Sequence, residues 1–155
     1  MAAIGDVDEA NSALGVAIVA LDGADPADEL ALIQNELFDL GADLATPEGI
    51  AGALRITADQ VTRLEAAIDR LNADLAPLTS FILPGGAAAG AALHLARAVT
   101  RRAERATVAA GPVNPHALAY LNRLSDFLFV AARFVNKSGD GDVLWAPGAT
   151  RRPPA

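Results

Sequence analysis

Apolar side chains recur every three to four positions in five stretches of the chain, the spacing that gathers them on one side of a helix. Leu14, Ile18 and Leu21 mark the first stretch, which the pattern places over about Val7 to Leu21. Leu30, Ile33, Leu37 and Leu40 mark the second. It is predicted to start at Asp25-Pro26, read as a cap followed by proline in the first turn, and to stop at Thr46-Pro47-Glu48-Gly49. Thr57-Ala58-Asp59-Gln60 fits a capping box and opens a third helix whose buried face is Val61, Leu64, Ile68 and Leu71. Leu75, Leu78, Phe81, Ile82 and Leu83 follow without a fixed period and run into Pro84-Gly85-Gly86. A fourth helix is predicted from about Ala87 to Ala110, stopped by Gly111-Pro112. A fifth is capped by Asn114 with Pro115 behind it and reaches about Asn136. The residues from about 137 onward, rich in Gly and Pro, are expected to be irregular, and residues 46 to 56 are expected to form the longest internal loop.

Helices of this length joined by short turns predict an all-α, five-helix up-and-down bundle, with the whole chain, 1–155, as one domain. Composition sharpens this. Hydrophobic residues make up 52% and charged residues 20%, which argues against disorder. Ala and Leu fill the apolar positions, and both are strong helix formers. A net charge of −7 makes a nucleic-acid partner improbable, since such binding draws its strength from neutralised phosphates. The chain has no cysteine, which removes disulfides, thiol catalysis and Cys-ligated metal, and which fits a cytoplasmic setting. Residues 1 to 20 carry Asp6, Asp8 and Glu9 without a basic start, unlike a secretory signal, and the apolar runs are too interrupted to cross a bilayer.

Two polar constellations stand out against this apolar background. Arg97, Arg101 and Arg105 are each four residues apart and share one helical face, with Arg102 and Glu104 beside them. Like charges at that spacing repel by a few tenths of a kcal/mol per pair, about 0.2–0.5. Guanidinium groups grip phosphate oxygens through paired donors, so a polyphosphate is a natural partner. The competing reading pairs these arginines with acids on neighbouring helices or on another subunit, and the spacing alone does not choose between the two. The last helix carries Asn122, Asp126, Phe129, Arg133 and Asn136 on one face, with Arg123 and Ser125 alongside. That set suits a lined cleft, an oligomer contact or plain solvent exposure. Asp6, Asp8 and Glu9 open the first predicted helix, where compensation of the helix dipole is the default explanation and a reach from Asp8 to a fourth-helix arginine the alternative. His94 and His116 are the only histidines. Without a His-x-x-x-His or Glu-x-x-His pair, a zinc or di-iron site built by the protein is not expected. His94 is expected to be a satisfied structural histidine.

The order of these segments resembles a known family, the PduO-type corrinoid adenosyltransferases. Asp6-Val7-Asp8-Glu9-Ala10-Asn11-Ser12 is similar to the family's first-helix motif, and Ile33 through Leu44 to its second. Phe81-Ile82-Leu83-Pro84-Gly85-Gly86 followed by Leu93 through Arg105 is similar to its central signature. Tyr120 through Asp126 and Asp142-Val143-Leu144-Trp145 complete the match, which spans nearly the whole chain. The resemblance implies a homotrimer with active sites between subunits. It implies transfer of the 5′-deoxyadenosyl group of ATP to Co(I) of cobalamin, with release of triphosphate. Under it, Arg101, Glu104, Arg105 and Asn122 fall where the family handles ATP and its magnesium, the ion being held mainly by ATP with Glu104 assisting. Arg97 and Asp8 fall where an ion pair bridges subunits, and with Arg101 they are the residues nearest the catalysis. Arg123 matches a further site arginine. Phe81 and Phe129 match apolar residues on the corrin side. There, a wall such as Phe81 can exclude the lower axial ligand of cobalt and so ease its reduction. A flavin-type or other reductase and a B12-dependent enzyme are implied as partners.

Two features depart from the family pattern. A Gly- and Thr-rich ATP loop followed by a lysine usually precedes the first helix and is not found ahead of Asp6, and Ala10 and Ala87 stand where Leu and Ser are usual. The alternative expectations are a bundle that binds corrinoid or nucleotide without catalysing transfer, and a plain helical oligomerisation module.

Overall fold

The protein is described over residues 2–151 by a computed structural model. Five helices form: α1 (Ala2–Leu21), α2 (Ala27–Ala45), α3 (Ala58–Asn72), α4 (Ala88–Ala109) and α5 (Pro115–Lys137). No β-strand occurs among the described residues, only one antiparallel bridge between Ile82 and Leu144. The alternation of directions follows from which residues meet. Asn11 bonds to Gln34, so α1 and α2 run antiparallel. Arg63 on α3 meets Glu29 and Glu36 on α2, while Arg70, nearer the end of α3, meets Asp25 just before α2, which turns α3 back again. Glu104 meets Asn122, which makes α4 and α5 antiparallel. The five helices therefore run up-down-up-down-up, as the periodicity predicts.

Close packing joins α1 to α2 and α4, α4 to α5, and α5 to α3. Between α2 and α3 the link is long side chains instead. Arg63 bridges Glu29 and Glu36, and Gln60 donates to Glu36 at 3.3 Å. Beneath that bridge the buried Tyr120 hydroxyl donates to Glu36 at 2.5 Å. Burial and the adjacent carboxylate push the phenol strongly upward, so it remains a donor at any ordinary pH. The apolar stripes converge on one continuous core: Leu14 and Leu21 from α1, Leu30, Ile33, Leu37 and Leu40 from α2, Leu64 and Leu71 from α3, Leu93 from α4, and Leu121, Leu124, Phe127 and Leu128 from α5. α5 buries most of its circumference and is the central helix.

Several local expectations change. α1 begins at Ala2 instead of Val7, so Asp6 and Glu9 lie beyond the first turn and do not serve the helix dipole. They pair with Arg102 on α4. Asp25 does not cap α2, whose first turn has no side-chain cap. Arg70 takes it instead, at 2.8 and 3.1 Å. The Thr57 box does form, with Gln60 accepting from the Thr57 N–H at 2.9 Å, and Asn114 caps α5 by accepting from the His116 N–H at 3.0 Å. The longest internal connection is 73–87 rather than 46–56, because Leu75 to Leu83 continue no helix.

That long connection is held from α5. Asn136, almost wholly buried, accepts from the Ala87 N–H at 3.1 Å and donates to the Gly85 carbonyl at 3.0 Å. It thereby satisfies an N–H left open at the start of α4. Gly86, at φ 100°, and Gly90 both press against this amide. A methyl at Gly90 would overlap the Asn136 side chain, whose two hydrogen bonds prevent it from yielding. Gly90→Ala is expected to lower the unfolding free energy by about 1–3 kcal/mol, read by urea denaturation.

Candidate functional site

Along α4, Arg97, Arg101 and Arg105 follow one another at about 6 Å of rise per step. From Arg101 a run of charged and amide groups crosses to α5. Arg101 Nη1 meets Glu104 Oε2 at 2.5 Å, and Glu104 Oε1 accepts from Asn122 Nδ2 at 3.0 Å. Asn122 Oδ1 accepts from Arg123 Nη2 at 2.7 Å, and Arg123 Nη1 lies 3.2 Å from Asp126. Arg105 donates to the Arg101 carbonyl at 3.2 Å. Arg101 and Arg123 are thus tied through Nη atoms to a carboxylate or an amide, and Arg105 to a backbone carbonyl of its own helix. Arg101 and Arg105 are exposed, and Glu104, Asn122 and Arg123 are half-buried. This brings together the ATP-side residues that the resemblance selects. Arg101 stays exposed although it pairs with Glu104.

Arg97 differs. It lines a cavity of about 530 Å³ with Leu78, Phe81, Ile82, Phe129 and Trp145, a predominantly apolar set. The two aromatic residues expected on the corrin side, Phe81 and Phe129, therefore share one cavity with the first arginine of the stripe. Phe81 is 77% exposed, a large apolar surface for water to cover. Asp8 lies elsewhere, in a groove between α1 and α2 with Ile4, Asn11, Leu37 and Phe38. No ion pair joins Asp8 to Arg97 or to another α4 arginine within the described chain; the α1 acids that reach α4 are Asp6 and Glu9.

The last-helix constellation divides. Asn122, Arg123 and Asp126 belong to the polar run and Phe129 lines the Arg97 cavity, whereas Arg133 and Asn136 are buried and structural. Arg133 Nε meets Asp142 Oδ2 at 3.0 Å and Nη2 donates to the Ala76 carbonyl at 2.8 Å. It ties α5 to both segments that wall the cavity. The sequence pattern did not single out Trp145 as a wall residue, although it is the only tryptophan in the chain and closes an apolar triplet after Asp142.

His94 is buried, 2% exposed, but it is not satisfied: neither ring nitrogen has a hydrogen-bond partner among the described residues. Its neighbours are Arg97 from α4, Phe129 edge-on from α5 with ring centroids 6.3 Å apart, and Asp142 from the C-terminal segment. Burial and then the Arg97 charge depress its pKa below the ordinary 6.5, with Asp142 opposing. The unfolded chain therefore binds this proton at a higher pH than the folded one does. The penalty is absent above about 6.5 and grows as the pH falls below it, until the folded pKa is passed. Thermal unfolding between pH 7 and 5 should show stability falling with a slope of at most about 1.4 kcal/mol per pH unit from this group. His94→Leu should flatten that part of the profile.

Among the described residues no group of three or more His, Cys, Asp or Glu side chains is placed to hold a metal ion. Glu104 is the carboxylate at the centre of the polar run, and both of its oxygens are already engaged. No helix among the described residues is long and apolar enough to cross a membrane.

Comparison with known proteins gives concordant results. The family model described as cobalamin adenosyltransferase matches residues 1–135. The corrinoid adenosyltransferase of Mycobacterium tuberculosis is 48% identical over 161 aligned positions, covering 97% of this chain and 82% of that protein. The corrinoid adenosyltransferase of Bacillus subtilis is 46% identical, with 90% of this chain and 76% of that protein covered. Among solved structures, a variant of the PduO-type ATP:corrinoid adenosyltransferase from Lactobacillus reuteri, complexed with cobalamin and ATP, superposes with a TM-score of 0.85. It is 37% identical, and the match covers 93% of this chain and 84% of that one.

Proposed function

The chain belongs to the cobalamin adenosyltransferase family, and from that premise we propose that it transfers the 5′-deoxyadenosyl group of ATP to the cobalt of cobalamin. One observation carries the reading: a single helix, α4, runs from an apolar cavity at Arg97 to outward guanidinium groups at Arg101 and Arg105. A corrin has a broad, largely apolar face and ATP an anionic tail, and the transfer requires the two side by side. The cobalt(I) electron pair attacks the 5′ carbon of ATP. A cobalt–carbon bond forms, the carbon–oxygen bond breaks, and its electron pair leaves on triphosphate, so cobalt ends formally as Co(III). Arg101 and Arg105 supply donors where charge grows on the departing triphosphate. Glu104 on the same helix, itself held by Asn122 from α5, fixes Arg101 in position, and Arg123 extends the same edge. Magnesium arriving with ATP would screen further charge there, with Glu104 as the nearest carboxylate of this chain. Phe81 and Phe129 wall the corrin side and keep a lower axial ligand away from the metal.

The preceding one-electron reduction of Co(II) needs an outside donor, a reductase of the flavin type or another. The product suits a B12-dependent enzyme, and a cytoplasmic setting fits both partners. Assembly as a homotrimer belongs to the same proposal. Phe38 is 71% exposed beside the α1–α2 groove that holds Asp8, and Arg97 has a buried Nε without a partner. A subunit boundary that covers Phe38 and brings Asp8 of one copy to Arg97 of the next accounts for both. Light scattering that gives a monomer mass at working concentration would reject this part.

The test of the whole is direct. Protein, ATP and Mg²⁺ are mixed with cobalamin chemically reduced to Co(I), and the corrin spectrum is followed. Conversion to the adenosylcobalamin spectrum with stoichiometric triphosphate is the expected result. Tight cobalamin binding without conversion would reject the transfer.

A further inference from the structure

Phe81 sits on a segment without helical support, and most of its ring faces solvent. What fixes it is the C-terminal segment. The Trp145 N–H donates to the Phe81 carbonyl at 2.8 Å, and the Leu83 N–H donates to the Val143 carbonyl at 2.7 Å. These two bonds flank the antiparallel bridge between Ile82 and Leu144. In that register Phe81 and Trp145 are directly opposite, so their side chains leave the same face. The rings meet at a centroid distance of 5.8 Å and an interplanar angle of 59°, within the range that aromatic pairs favour. The Ser80 hydroxyl donates to the Trp145 carbonyl at 2.9 Å, so both backbone groups of Trp145 are engaged by residues 80 and 81. The segment is moored at its start by Asp142 on Arg133, which also holds Ala76 at the beginning of the opposing stretch. Phe81 and Trp145 both line the 530 Å³ cavity.

Resting on the transfer reading above, we infer that Trp145 is a positioning residue that props the Phe81 ring against the corrin side of the cavity, and so sets how completely the lower ligand is kept from cobalt. An exposed phenylalanine on an irregular segment turns freely about its χ1 unless a neighbour blocks the other rotamers. Trp145 is that neighbour. The Arg133–Asp142 pair and the two backbone bonds make it a fixed one.

The experiment compares wild type with Trp145→Ala, Trp145→Leu and Trp145→Phe. In the presence of ATP, the fraction of bound Co(II) corrin lacking a lower ligand is read by electron paramagnetic resonance. Trp145→Ala and Trp145→Leu should lower that fraction at least about fivefold, while Trp145→Phe keeps more than half of it, because only the last preserves an aromatic prop. The Kd for ATP should stay within about twofold in all three, since the triphosphate side is built by α4 and α5. Should the alanine variant fail to fold, leucine against phenylalanine still decides. Equal fractions in leucine and phenylalanine variants overturn the inference, as does a folded alanine variant with the wild-type fraction. The sole tryptophan supplies a second readout without substrate. Phe81→Leu should shift its emission maximum, and an unchanged spectrum removes the contact on which the inference stands. A wild-type protein that forms no adenosylcobalamin from Co(I) overturns the transfer reading itself. A wild type that turns over while Trp145→Ala matches it overturns only the role of Trp145.

Discussion

Alanine in place of Arg101 is expected to lower kcat for adenosyl transfer by about two to three orders of magnitude, the usual consequence of removing one preorganised donor aimed at developing charge. In the ground state the γ- and β-phosphates already carry their charge, and magnesium and neighbouring arginines share it. In the transition state the breaking carbon–oxygen bond adds charge at the α-phosphate end, and a donor placed there acts more strongly than on bound ATP. The loss should therefore fall mainly on kcat, with a smaller rise in KM for ATP and little change in cobalamin binding. Arg101→Lys keeps the positive charge but not the planar fork that Glu104 orients, and should give an intermediate rate. Folding is not at issue. Arg101 is exposed, and its pair with Glu104 is of the i,i+3 surface kind, worth at most about 1 kcal/mol. Steady-state kinetics at saturating cobalamin, with thermal melts of the same samples, separate the two effects. A kcat within threefold of wild type would mean that Arg101 does not meet the triphosphate.

What the sequence made legible follows from the range of each interaction. The five helices came from apolar spacing, which is local and repeated in every turn, so single exceptions such as the early start of α1 did not disturb the count. Arg97, Arg101 and Arg105 were legible for the same reason, since one helical stripe needs no knowledge of tertiary structure. What surrounds them was not. That Arg101 is held by Glu104 and then Asn122, while Arg102, one residue along, turns to Asp6 and Glu9 on α1, depends on which helix packs on which side. Arg133 and Asn136 share a periodic face with Asn122 and Phe129, yet they serve as buried ties to Ala76, Gly85 and Ala87. Helical spacing gives the face and not what lies against it. Trp145 was hidden because its partner, Phe81, is 64 positions away in an irregular segment and the two meet through a single bridge, too short to leave a strand pattern.

The largest expected effect on stability lies at the other end of α5. Asp43, fully buried near the end of α2, accepts from Arg55 Nη1 at 2.6 Å, from the Ile56 N–H at 2.8 Å and from Asn114 Nδ2 at 2.6 Å. Arg55 also donates to the carbonyls of Asp43, Thr46 and Pro47 at 2.9, 2.8 and 2.6 Å, which closes the 46–57 connection around the carboxylate. Burial alone would raise the Asp43 pKa, but Arg55, Asn114 and the Ile56 N–H together outweigh it and hold it below the ordinary 3.8. Asp43→Ala leaves the buried Ile56 N–H without its acceptor, takes one of two acceptors from the half-buried Asn114 amide, and leaves a half-buried guanidinium without its counter-charge. The expected loss is about 3–5 kcal/mol at neutral pH, a large share of the roughly 5–15 kcal/mol that holds a domain of this size folded. Because the folded pKa lies below the unfolded one, the part of this stabilisation carried by the charge is present above about 3.8 and is lost as pH falls through the folded value. Urea unfolding at pH 7 should therefore separate wild type from Asp43→Ala widely, and the gap should narrow as the pH is lowered toward 3. A gap that stays constant over that range would mean that the carboxylate charge contributes nothing and that only the lost hydrogen-bond geometry matters.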